Sequence, residues 1–72
     1  MRTEHRYEVV IYWSGPDGAF VATVPELPGC AADGATQADA LRNVGPVITA
    51  WLNTASELGR DIPKPRERLQ HA

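Results

Sequence analysis

One apolar stripe dominates the sequence and decides what the rest must do. Ala38, Leu41, Val44, Ile48, Trp51, Leu52, Ala55 and Leu58 recur at spacings of three and four, the period of one face of an amphipathic helix. Thr36 is a suitable N-cap, with Gln37 and Asp39 placing polar and acidic groups in the first turn and Asp39 at the capping-box position. Gly59 suits the residue just past the C-terminus, and Pro63 prevents resumption. Gly45-Pro46 conflicts with a straight helix, because a proline there removes a ladder bond and crowds the carbonyl of Arg42 at a cost of ~3 kcal/mol. The stripe keeps its phase across the pair, so the reading is one kinked helix, with two helices as the alternative.

The residues ahead of that helix must supply the layer it covers. Arg6–Trp13 (RYEVVIYW) is β-branched and aromatic, without Gly or Pro, and reads as a strand. Its alternating faces are Tyr7, Val9, Ile11, Trp13 and Glu8, Val10, Tyr12, Ser14. Ser14-Gly15-Pro16-Asp17-Gly18 is a turn, and Ala19–Val24 is a second strand that completes an antiparallel hairpin. Pro25 and Pro28 then force a kinked connection, Gly29 lets the chain turn, and Cys30-Ala31-Ala32 forms a short third strand closed by Asp33-Gly34.

These elements predict an α+β fold, a two-layer β-β-β-α unit in which one helix packs on an antiparallel sheet. The 72 residues make one domain, with a core over about 6–62 and a polar tail over 63–72. A chain this short buries only about 60% of its unfolded surface and often needs added support. One cysteine rules out a disulfide within the chain, and Cys30, His5 and His71 do not make a zinc ligand set. Self-association, as a dimer or tetramer, is the support that remains. The helix covers one sheet face, and the other still carries apolar residues of the first strand and alternate residues of the second, such as Phe20 or Val21. An apolar face of that kind marks an interface.

A net charge of −2 and the lack of a basic stripe argue against a nucleic-acid-binding surface. Arg60, Lys64, Arg66 and Arg68 are interrupted by Asp61 and Glu67 and read as a solvated tail. No segment approaches the ~20 apolar residues of a membrane span, and MRTEHRYE lacks a signal-peptide core, so a cytoplasmic location is expected. Glu8, Glu26, Asp33 and Asp39 do not converge as a two-metal site needs, and no nucleophile–base–orienter set can be assembled. Neither an enzyme nor a cofactor is expected. Cys30 reads as a small buried residue, and His5 and His71 as solvated.

Partner contact is the remaining role. Tyr12, Trp13 and Phe20 are aromatic anchors or core, and alternation sends at least one of Tyr12 and Trp13 away from the helix. Trp51 lies at the edge of the helical stripe as a further contact candidate. Between two prolines, Glu26 and Leu27 form a stiff loop that presents one acidic and one apolar side chain. The plainer alternative is that the prolines only protect a strand edge and set the crossover.

Several of these segments, taken in order, resemble the HicB-like antitoxin family over roughly residues 7–65: YEVVIYWS, DGAFVA, VPELPGCAADGAT, the helix with N-V…I-x-x-W-L, and LGRDIP-x-P. The resemblance implies a β-β-β-α unit similar to a degraded RNase H fold. It also implies a partner, a HicA-like toxin: a small basic RNA-cleaving protein whose active site the antitoxin masks. Many family members add a C-terminal DNA-binding segment; none is evident here, so direct DNA binding is not expected. The competing expectation is a stand-alone oligomeric regulator or small-ligand binder without a toxin.

Overall fold

The first two strands are shorter than their propensities suggest, because pairing sets their ends. The computed structural model describes residues 6–63. β1 (Val10–Ser14), β2 (Ala19–Thr23) and β3 (Ala31–Gly34) form one antiparallel sheet in the order β1-β2-β3, and α1 (Gln37–Glu57) follows. The β-β-β-α order and the two layers are those expected. Of the polar tail only Pro63 is described; residues 64–72, with His71, and His5 lie outside the described residues.

β1 is expected from Arg6, yet its ladder begins with Val10 opposite Thr23. The segment before it lacks a cross-strand partner, since β2 ends at Thr23 and Val24 turns into the crossover. Tyr7 instead enters the core at 9% exposure and donates its hydroxyl hydrogen to the carbonyl of Pro63. The hairpin turn closes as its residues dictate: Gly18 has φ 61°, its N–H reaches the Gly15 carbonyl at 3.1 Å, and Ser14 Oγ donates to Asp17 at 2.8 Å.

Two consecutive β-turns explain the paired prolines. The Leu27 N–H bonds to the Val24 carbonyl at 3.0 Å, and the Cys30 N–H to the Leu27 carbonyl at 3.0 Å. Each turn carries proline at its first central position, where φ near −65° is required, and neither loses a needed donor. Gly29, with φ 79°, supplies the positive φ of a type II turn in the second. The Val24 N–H then closes on the Cys30 carbonyl at 3.0 Å, so Cys30 seals the crossover and β3 starts one residue later than expected. Asp33-Gly34 consequently extends the strand.

The odd-numbered face of β1 is the core face. Ile11 opposes Ala22, which opposes Ala32, and Ala22 is completely buried. Val24, Leu27, Cys30, Ala40, Val44 and Ile48 complete the buried cluster. Gly34 leaves no room for a side chain against the first turn of α1: a Cβ there would lie 2.5 Å from the Ala40 nitrogen.

The helix follows its capping signals closely, but its buried line is Ala40, Val44, Ile48 and Ala55. Of the expected stripe, Ala38 and Leu41 are exposed because Ala40 meets the end of β3, and Leu58 is exposed as well. Thr36, extended at φ −130° and ψ 166°, accepts the Asp39 N–H on its side chain at 3.0 Å. At the other end Arg60 N–H bonds to the Ala55 carbonyl at 2.8 Å and Gly59 N–H to the Ser56 carbonyl at 3.2 Å, with Gly59 at φ 70°. That is a Schellman ending. α1 runs unbroken through Pro46, which is exposed, so the one-helix alternative holds over two helices.

Candidate functional site

Alternation along β1 and β2 builds a second sheet face that the helix never reaches. Val10 opposes Thr23, which opposes Ala31; Tyr12 opposes Val21, which opposes Asp33. Val10 and Tyr12 are 42% and 49% exposed, Val21 and Thr23 half-buried, and Ala31 and Asp33 exposed. Apart from Asp33, the face is apolar or neutral at its centre. The side chains stand on a paired backbone, so they are held with little freedom to lose on contact.

Trp13 and Phe20 belong to the other face. They oppose each other in the register and meet edge-on, ring centroids 5.1 Å apart at 71°. Phe20 packs on the core cluster, while Trp13 is 56% exposed at the sheet's outer corner. The open face therefore takes Val21 from β2, not Phe20. Tyr12 and Trp13 are thus neighbours in sequence and exposed on opposite sides of the same edge strand.

The crossover does not present the pair expected of it. Leu27 is completely buried, because the two turns fold its side chain under the loop and into the core. Only Glu26 of the two is available at the surface, and it is half-buried. Trp51 braces this loop: its Nε1–H donates to the Pro28 carbonyl at 2.9 Å, and the ring is half-buried beside the core. Its indole thus links the C-terminal half of α1 to the second of the two turns. Trp51 also lines an open groove of about 240 Å³ together with Val47, Ala50, Thr54, Ala55 and Arg60.

Burial pushes the Cys30 thiol pKa up, and at 3% exposure Cys30 behaves as the small core residue expected. Arg42 and Asp39 form an ion pair one helical turn apart, exposed enough for water to screen it. Among the described residues, no three His, Cys, Asp or Glu side chains gather where a metal could bind, and no helix is long and apolar enough to cross a membrane.

Of the expected contact residues, the structure brings Tyr12 and Trp13 together on one strand, keeps Phe20 beside them as support, and sets Glu26 and Trp51 apart around the crossover. Val10 was not among those candidates, although the parity that exposes Tyr12 exposes Val10 equally.

Comparison with known proteins places these features. The family described as HicB-like antitoxin of bacterial toxin–antitoxin systems matches residues 7–71. A UPF0150 protein of Thermoplasma acidophilum is 36% identical over 59 residues, covering 82% of this chain and 84% of that one. A UPF0150 protein of a Synechocystis species is 39% identical over 57 residues, covering 79% and 77%. No solved structure gives a significant match.

Proposed function

The chain belongs to the HicB-like antitoxin family, and from that membership we propose that it neutralises a HicA-like, mRNA-cleaving toxin by occluding the toxin's active site. In this reading the β-β-β-α unit, a reduced relative of the RNase H fold, acts in the cytoplasm as a non-catalytic homo-oligomeric scaffold. The observation that carries the reading is the open sheet face and its rim. Val10, Tyr12 and Trp13 remain 42–56% exposed on a rigid strand, and surface of that kind is retained where a partner covers it. Asp33 lies at the β3 margin of that face, suitably charged to steer a basic toxin towards the apolar centre, and Glu26 adds a half-buried carboxylate in the crossover.

The test is direct. The neighbouring genes are searched for a small basic open reading frame, and any such product is expressed and tested for mRNA cleavage with increasing amounts of this protein. Stoichiometric inhibition, with co-purification of the pair, is the expected result. Undiminished cleavage with no complex would remove the proposal. A second reading, a stand-alone regulator that binds a small ligand, draws on the groove beside Trp51. It calls for a ligand that shifts the melting temperature in the absence of any toxin.

A further inference from the structure

We infer that two copies of this chain pair through the outer edge of β1, antiparallel about a two-fold axis at Tyr12, joining two three-stranded sheets into one of six. The inference specifies the homo-oligomer of the proposed function, and it stands on the sheet alone, independently of any toxin.

The sheet order leaves β1 and β3 as edges, and they differ in kind. β3 has four residues, includes Asp33 and Gly34, and is tied to the helix, since the Asp33 carbonyl accepts from Asn43 Nδ2 at 2.8 Å. β1 reads VIYWS: no charge, no proline, no glycine, and an uninterrupted register with β2. Among the described residues no strand pairs with its outer side. Edges meant to stay single are guarded by lysine, proline, a bulge or extreme shortness. β1 has none of the first three and is the longer of the two edges.

Exposure on both sides of this strand points to its edge, not to the open face alone. Val10 and Tyr12 lie on the open face and Trp13 on the helix side, yet all three are 42–56% exposed. Packing another layer on the open face would cover Val10 and Tyr12 and leave Trp13 wet. Adding a strand alongside β1 reaches all three, because a neighbouring strand offers side chains to both faces.

A second copy fits this edge by symmetry. About Tyr12, Tyr12 faces its own counterpart, Ile11 faces Trp13 of the second copy, and Val10 faces Ser14. No charged side chain meets another, so nothing opposes self-pairing, and Trp13 gains an aliphatic neighbour. The exposed parts of Val10, Tyr12 and Trp13 amount to roughly 300 Å² per chain. Two copies would hide about 600 Å², half of the ~1,200 Å² at the low end of specific interfaces, with the strand ladder adding to it. The dimer is therefore expected to exchange with monomer on dilution.

Sedimentation of the wild-type chain should show a mass rising with concentration from 7.8 kDa towards twice that value. Under mild oxidation Tyr12→Cys should link two copies, since directly opposed strand residues lie within disulfide reach. Cys30 is buried and does not compete. Ser14→Cys alone should not link, because it faces Val10; mixing it with Val10→Cys should. Circular dichroism of each variant checks that the fold is retained. A wild-type chain that stays monomeric at hundreds of micromolar overturns the inference. So does linking by Ser14→Cys as readily as by Tyr12→Cys, or dimerisation with no linking by any of these variants. None of these measurements involves a toxin, so their failure is distinguishable from failure of toxin binding.

Discussion

Replacing Leu27 with alanine tests whether the proline-bounded crossover is a core element or a surface loop. Leu27 is completely buried and joins two β-turns, each closed by a 3.0 Å backbone bond. Truncation removes about three carbons from a site whose walls are held by Pro25 and Pro28, so collapse around the gap is limited. Leu→Ala in such sites costs ~2–5 kcal/mol, and ~3 kcal/mol is the central expectation. At ~0.05–0.15 kcal/mol per residue, a chain of 72 residues has only about 4–11 kcal/mol to lose. The melting temperature should fall by ~12–24 °C, using ~4–8 °C per kcal/mol for a domain of this size. Urea unfolding followed by tryptophan fluorescence suits the purpose, because Trp51 is hydrogen-bonded to Pro28 in the same loop. Protein concentration is held constant, since self-association adds apparent stability. Leu27→Met, which conserves volume, should lose less than ~1.5 kcal/mol. A loss below ~1 kcal/mol for Leu27→Ala would mean that Leu27 does not plug the core, and the account of the paired prolines would fail with it.

Two further substitutions probe the packing from other directions. Gly34→Ala places a Cβ 2.5 Å from the Ala40 nitrogen and 2.7 Å from Asp39 atoms, most of it unyielding backbone, so a loss of ~2 kcal/mol or more is expected. Gly15→Ala, with open space around it and no positive φ, should stay within ~0.5 kcal/mol by the same urea assay, and equal effects at the two sites would refute the close approach. Burial raises the Cys30 pKa, so the folded state holds the thiol proton more tightly than the unfolded state does. Stability from this site is therefore intact below the ordinary thiol value of 9.0 and is lost as pH rises above it. Urea titrations at pH 8 and 10 should show a steeper decline for the wild type than for Cys30→Ala, and parallel declines would contradict the assignment.

The helix and hairpin were legible because their signals are local. Thr36, Asp39 and Gly59 act within a turn of their own positions, and each does what its chemistry suggests. Pro46 could be absorbed because the stripe on both sides is in phase, so packing outweighs one missing ladder bond. The strand limits were less legible because they depend on a partner's length. Nothing in Arg6–Trp13 says that β2 stops at Thr23, and that stop is why the ladder opens at Val10. Tyr7 illustrates the extreme case, since its hydrogen-bond partner, Pro63, lies 56 residues away.

Side-chain roles at the candidate site divide along the same line. Period-two alternation is enough to put Tyr12 and Trp13 on opposite faces. It does not say how far the helix extends over its own face, and that reach decides Trp13. Phe20 on the central strand packs on the core, whereas Trp13, one strand farther out, remains 56% exposed. Leu27 went the other way because turn chemistry, not strand parity, aims it. Once Val24–Leu27 and Leu27–Cys30 each close a turn, the shared residue lies over the cluster formed by Val24, Cys30 and Val44. A single 21-residue helix covers β3 and the central strand of this sheet and reaches its first edge least. Three of the large apolar side chains left exposed, Val10, Tyr12 and Trp13, therefore sit together on β1, while Leu41, Leu58 and Ile62 are scattered along and after the helix, so β1 is the strand that the proposed contacts use.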